Sequence, residues 1–417
     1  MNKKIKCIDL VSLCLGLLMI TNIFFLIYRF LRGECAFQDF YARWQESAYL
    51  FKGVNPFDAL TGKVYIDEIG TIDPDMVTVP WAWIWGSIIS PGFLCYNQAK
   101  IWGGFFFFIL AFITSCVCYQ YIGKIFEWKE RDEKARWCVL AFFIVFSQYC
   151  WQWSFMCGNH GSLACCFIVI AVCIYKEHPY LAGIMMTFGM IKPQVAALFF
   201  ITFIIIKQYR VVITAIICEL ATMVVIWRIT GAGLFQLLSQ TANIGTNLDG
   251  VFFGLFNMLK YFDVSITLIL LLDITVGVGY LLFHTLLTRK YIGENDIRIF
   301  VGTAIASTFW FYKQSHDYVI LIIPCLALIK EIYSLKDNKY KKSLCTLIAF
   351  IAIFYVQSFT RKCLCIIIPS IPEFAGKEFF MTLTCLLFII LGIVYLRDIK
   401  NRSAYLTISS TIPKKSS

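Results

Sequence analysis

The chain alternates long apolar runs with short polar connections. A helix needs roughly 20 apolar residues to cross a bilayer. On that measure the runs predict spans at 7–28, 99–122, 137–156, 160–176, 179–191, 194–208, 211–229, 264–287, 298–312, 317–333, 343–360 and 378–396. Those at 179–191 and 194–208 are short. Short or interrupted helices are tolerated where the broken backbone lines a polar cavity instead of lipid. The largest connection is 30–98. Within it, "DFYARWQESAYLF" is amphipathic, and "VPWAWIWGSIISPGFL" is apolar but brief and bounded by proline. The latter reads as an interfacial or partly re-entrant helix, with Trp81, Trp83 and Trp85 suited to the headgroup region.

Composition supports the pattern. Of 417 residues, 59% are hydrophobic and 15% charged, with a mean hydropathy of +0.72. Soluble domains carry about 25% charged residues. The expected fold class is therefore an all-α polytopic membrane protein. It has about twelve transmembrane helices, an integral domain over 1–396 and a tail at 397–417. No small-residue cleavage site follows 7–28, so that run reads as a retained first helix.

The net charge of +11 raises the question of a nucleic-acid partner. Most of the 37 basic residues sit at the N-terminus, in 124–136, near 176, at 207–210, 289–298 and 330–342, and in the tail. With twelve spans these segments all fall on one side, the positive-inside pattern. No basic stripe accompanies a nucleic-acid motif, so no nucleic-acid partner is expected. The reading is a multi-pass cell-membrane protein with cytoplasmic termini and an extracytoplasmic 30–98 loop rich in acids. Most of the 18 cysteines lie inside apolar runs, where a thiol acts as a small hydrophobe. Cys363 and Cys365 form a C-x-C in a short loop, and neither a metal site nor a cofactor is expected.

Under this topology the costly polar residues gather at the outer pole. Asp39 follows the first span, "CGNHG" brings Asn159 and His160, and "IKPQ" brings Lys192 and Gln194. The stretch 236–250 brings Asn247, and "FYKQSHDY" brings Lys313, His316 and Asp317. Ionisable groups at membrane depth are candidate functional residues. Plainer roles exist for each. The lysines can snorkel to the interface, and the histidines can be structural. Asp317 suits an N-cap for the helix after it, and Asp39 one for "FYARWQESAYLF". Glu219 and Asp273, on separate spans, read as acids paired within the bundle, the alternative being a proton relay in a transporter.

The order of these motifs resembles that of family-87 glycosyltransferases, of the membrane-embedded GT-C class. Asp39 with "YARWQESAYLFKGVNPFDA" is similar to that family's first-loop pattern, D-x-x-x-Y-W-x-A-A followed by L-x-G-x-x-P-Y-D. "VPWAWIWGSIISPGFL" is similar to its Y-P-P segment, "GNHG" stands where it carries G-Q-x-N, and "LAGIMMTFGMIKPQ" resembles its L-K-P-Q helix pair. "YKQSHDYVILIIP" resembles its Ser/His-containing segment. The chain departs from the pattern with Asn159 in place of Gln, Val79 for the first Pro and Phe57 for Tyr.

The resemblance implies transfer of a sugar, mannose being the family's commonest, from a polyprenyl-phosphate donor to a hydroxyl of a lipid or glycan acceptor at the outer face, usually with inversion. It makes Asp39 the general base. Lys192, Lys313 and His316 become the cations that meet the leaving phosphate, with Arg228 a poorer candidate. Asn159, His160, Gln194 and Asp317 become substrate contacts. A lipid or sugar transporter and a polysaccharide polymerase are the competing readings. A transporter would be expected to show internal repeats, and none is persuasive here.

Overall fold

The computed structural model describes residues 3–32, 37–73, 78–126, 131–247, 264–293, 296–310 and 315–334, with Leu259 and a few positions between 390 and 397. Every regular element among these residues is helical. The helices are α1 (Lys3–Leu31), α2 (Gln38–Phe51), α3 (Pro56–Leu60), α4 (Pro80–Ile89), α5 (Tyr96–Phe126), α6 (Arg131–Phe146), α7 (Tyr149–Cys157) and α8 (His160–Ile174). There follow α9 (Pro179–Gly189), α10 (Pro193–Ile205), α11 (Tyr209–Thr230), α12 (Leu234–Asn247), α13 (Ile266–Ile292), α14 (Val301–Ala306) and α15 (Ile322–Ser334). Short 3-10 helices cover Ile297–Phe300 and Ser315–Leu321.

Among the described residues, four helices are long and apolar enough to cross a membrane, within α1, α5, α11 and α13. A fifth span results if α6 and α7 count together. The predicted span at 343–360 and most of 378–396 lie outside the described residues, as do Cys363 and Cys365. The expected unbroken helix at 137–156 is instead two helices bent by 53°. The cause is local: the side chains of Ser147, Gln148 and Gln152 hydrogen-bond the carbonyls of Phe143, Ile144 and Phe146. They satisfy the groups that a helix end leaves open, and the ladder breaks there.

The chain forms two compact units. The first holds residues 1–197, 208–251 and 314–322. Its centre is α8, buried at every residue from His160 to Cys173. The sequence "HGSLACCFIVIAVCI" explains this, since a helix apolar on all sides and studded with small residues can be enclosed by others. Around it pack α5, α9 and the 3-10 helix Ser315–Leu321, while α11 lies against α9 and α4. Close approach needs small residues here too: a Cβ on Gly183 would meet Thr214 Cβ at 2.6 Å. By contrast α11 leaves Ile213, Ile217, Leu220 and Val224 exposed, the face of a helix in lipid.

Between α1 and α5 stand α2, α3 and α4, of 14, 5 and 10 residues, all too short to span alone. The α4 tryptophans pack against protein. Trp83 is 2% exposed and packs edge-on against Phe57 at 5.0 Å, within a core of Leu50, Met223, Ile226 and Leu237. Trp85 lies on Phe188, and the Trp81 indole donates to the Met190 carbonyl. These rings anchor α4 to protein, through the large buried area and the ring geometries that aromatic side chains favour.

The second unit holds residues 198–207, 252–313 and 323–417. Among its described residues, Phe203 packs on Phe300, and Thr202 shares a hydrogen bond with Thr303. A charge cluster closes one end: Arg298 bridges Asp296 and Glu331, and Lys330 also reaches Asp296.

Candidate active site

The "CGNHG" stretch is a helix-to-helix turn. Gly158 ends α7 with φ +70, and a Cβ there would stand 2.3 Å from Phe40 Cβ, so only glycine fits. The next residue, Asn159, caps α8 by accepting the Gly161 amide at 2.8 Å. Its amide nitrogen is left to donate elsewhere, and it donates to Asp39 Oδ2 at 2.6 Å.

Asp39 reaches this point because of how α2 begins. Phe37 adopts φ 53, an uncommon conformation for a bulky residue. Its amide donates to the Met156 carbonyl, its ring packs on Phe40 and Phe155, and the Lys100 ammonium stands over it at 5.3 Å. Held there, Phe37 starts α2 so that Asp39 falls in the first turn. Asp39 does not cap the helix: no side chain makes a cap hydrogen bond at this end. Its contact is across the fold, to Asn159. That bond fixes one carboxylate oxygen, Oδ2.

The same turn meets the "IKPQ" and "QSHDY" segments. Lys192, between α9 and α10, forms an ion pair with Asp317 at 3.1 Å, and the Asp317 side chain is fully buried. Asp317 therefore serves as the partner of a cation, and Lys192 does not snorkel to an interface. Gly161 is the meeting point. A Cβ on it would stand 2.6 Å from Asp317 Oδ1, 2.8 Å from Asn159 Oδ1 and 3.1 Å from Lys192 Cε. Three of the expected motifs thus close on one glycine, and the fourth, Asp39, is bonded to Asn159.

His160 is 3% exposed and sits edge-on to Phe40. His316 is buried beside Asp317. Gln194 lies half-buried in the first turn of α10. Lys313 lies outside the described residues, and Asn247 is the last residue of α12. Arg228 is exposed in the last turn of α11. Glu219, on α11, has its carboxylate beside the Trp85 indole, whereas Asp273 is buried in the second unit's α13.

Sequence reasoning missed a second polar group. Arg43, one turn after Asp39 on α2, pairs with Glu46 at 3.1 Å. Glu46 in turn accepts the Thr78 amide at 2.5 Å and its hydroxyl at 2.7 Å. The i, i+4 spacing of Asp39 and Arg43 was the available signal, since it puts both on one helix face. With Ala82, Trp83, Gly86, His160 and Ile191 these three residues line a small cavity.

Neither a curated protein nor a solved structure shows significant similarity to the chain. The profile of glycosyltransferase family 87 matches residues 101–311, a stretch that carries Asn159, His160, Gly161 and Lys192 and stops short of His316 and Asp317. That match spans half of the sequence, and with the apolar helices of the fold it makes the chain a membrane glycosyltransferase belonging to family 87.

Proposed function

We propose that this glycosyltransferase moves a hexosyl or pentosyl group, mannose first among them, from a polyprenyl-phosphate sugar to an acceptor hydroxyl at the extracytoplasmic face, with inversion. The observation that carries the proposal is the 2.6 Å bond from Asn159 to Asp39, beside the Lys192–Asp317 pair. Asp39 is the general base. With Oδ2 held by Asn159, Oδ1 takes the acceptor proton as the acceptor oxygen forms its bond to the anomeric carbon. The bond from that carbon to the phosphate oxygen breaks, and its electron pair leaves with the phosphate. Lys192, His316 and Lys313 supply positive charge and donors where the phosphate gains charge. Asn159, His160, Gln194 and Asp317 position the sugar and hold the cations.

The proposed topology follows the sequence. About twelve crossings leave both termini in the cytoplasm and put 30–98 outside, with the lipid phosphate and Asp39 at the same depth. The brevity of α8 suits this arrangement. Fifteen residues rise about 22 Å, less than the roughly 30 Å hydrocarbon core, and α8 is sheathed by protein.

The test is transfer in liposomes. Purified protein is offered short-prenyl phosphate mannose, glucose and arabinose with lipid and glycan acceptors, and products are read by mass spectrometry. Transfer from one donor, absent in Asp39→Asn, is the expected result. Near-wild-type turnover by Asp39→Asn removes Asp39 as base. Flux of sugar lipid without any transfer would favour the transporter.

A further inference from the structure

The cavity beside the proposed base holds groups to which the mechanism assigns no specific atom of the sugar. It lies within the first unit, one helical turn along α2 from Asp39, lined by Arg43, Glu46, Thr78, Trp83, Gly86 and His160. Its charges are already satisfied, since Glu46 is held by Arg43 and by both donors of Thr78. Its neutral groups are not. Among the described residues, neither ring nitrogen of His160 has a hydrogen-bond partner, and the same holds for Trp83 Nε1. Both side chains are more than nine-tenths buried. Unpaired buried polar atoms cost about 1–3 kcal/mol each, so a cluster of them around one cavity points to an occupant that can both donate and accept.

Size narrows the occupant. About 10 Å³ is open to the centre of a water-sized sphere, room for a single oxygen-sized group and far too little for a sugar ring. A hydroxyl fits, being donor and acceptor at once. The floor is Gly86, where a Cβ would come no closer than 3.9 Å to His160. Arg43 and Lys192 are both near enough for their charges to act on His160, which puts the cavity on the side of the cations.

We infer that this cavity reads one hydroxyl of the transferred sugar, with the His160 imidazole as its hydrogen-bond partner and Gly86 keeping the space open. The inference rests on the proposed donor class and deepens it: the enzyme selects its donor by one sugar position. A sugar that lacks that hydroxyl leaves His160 unpaired, whereas one that carries it completes the pair.

Binding is measured without acceptor, so that only the donor is read. Short-prenyl phosphate mannose, glucose and arabinose, and the monodeoxy forms of each, are titrated by calorimetry into detergent-purified wild type and Gly86→Ala. The alanine methyl makes only ordinary contacts and sits in a helix, so the variant folds. For wild type, one deoxy position is expected to weaken binding about tenfold or more, the other positions little. For Gly86→Ala, the parent sugar binds as weakly as that deoxy analogue, and removing the hydroxyl costs nothing further, the non-additivity of groups in contact. His160→Phe gives the same loss of discrimination. A flat deoxy series in wild type, or full discrimination retained in Gly86→Ala, overturns the inference even when transfer proceeds. Selective binding with no transfer by any donor leaves the pocket standing and overturns the proposed reaction instead. If no sugar increases affinity over the bare prenyl phosphate, the pocket reads no sugar and the inference falls.

Discussion

Gly161→Ala is the smallest change that tests the site as a unit. The added methyl would stand 2.6 Å from Asp317 Oδ1 and 2.8 Å from Asn159 Oδ1, well inside the 3.4 Å at which ordinary contact begins. Neither oxygen can move alone. Asp317 is tied to Lys192 at 3.1 Å, and Asn159 is bonded to both the Gly161 amide and Asp39. Relief therefore requires the Asn159 amide or the Asp317–Lys192 pair to withdraw by several tenths of an ångström, and the orientation of Asp39 moves with it. Overpacking of this kind costs about 1–3 kcal/mol of stability. Misplacing reacting groups by about 1 Å costs on the order of 100-fold in rate. The expected outcome is a protein that still inserts, melts a few degrees lower, and turns over roughly 100-fold more slowly. Gly104→Ala is the control, because that helical glycine in α5 has nothing within 4 Å of the added carbon. The assay is liposome transfer with a melting curve on the same preparations. If Gly161→Ala turned over as fast as Gly104→Ala, the convergence of Asn159, Asp317 and Lys192 would play no part in catalysis.

Lys192→Ala should destabilise as well as inactivate. It removes the Lys192 partner of a buried carboxylate, and breaking a buried ion pair costs about 3–5 kcal/mol; the double change Lys192→Met with Asp317→Leu should recover melting temperature but not turnover, and an unshifted melt for Lys192→Ala would contradict the pair. At Asp296, burial alone would raise the carboxyl, but the hydrogen bonds and charge of Arg298 with the Lys330 ammonium outweigh it and hold the group at about 2. Its folded value lies below the unfolded value of about 3.9, so the stability it contributes is present above that pH and is lost as pH falls through about 2. Melting followed from pH 6 down to 2 should show this loss in wild type and not in Asp296→Asn. For topology, Lys63→Cys should react with a membrane-impermeant thiol reagent from outside. Glu177→Cys should react only after permeabilisation, and the reverse pattern would invert the proposed orientation.

The period and length of the apolar runs determined that this chain is helical and lives in a membrane, because a bilayer admits few other solutions. They also anticipated the long helices α1, α5, α11 and α13 to within a few residues, whereas no apolar run marked α12. The order of short polar motifs was enough to suggest the family, and Asp39, Asn159 and Lys192 were legible because charge and amide groups are rare in such a composition. Sequence could not say which of those groups touch. Only the folded chain put the Asn159 amide on Asp39, made Lys192 the counter-ion of Asp317, and closed three motifs on Gly161, since the first two contacts join residues more than a hundred positions apart and the third gathers separate connections. Nor could sequence foresee the break at Ser147–Gln148 or the burial of Trp83. Both depend on what a side chain finds within reach, a helix-end carbonyl in one case and the ring of Phe57 in the other. The cavity at His160 is of the same kind: three helices, the extended chain at Thr78 and the turn at Ile191 leave a space one oxygen wide, and no pattern along a single segment encodes it.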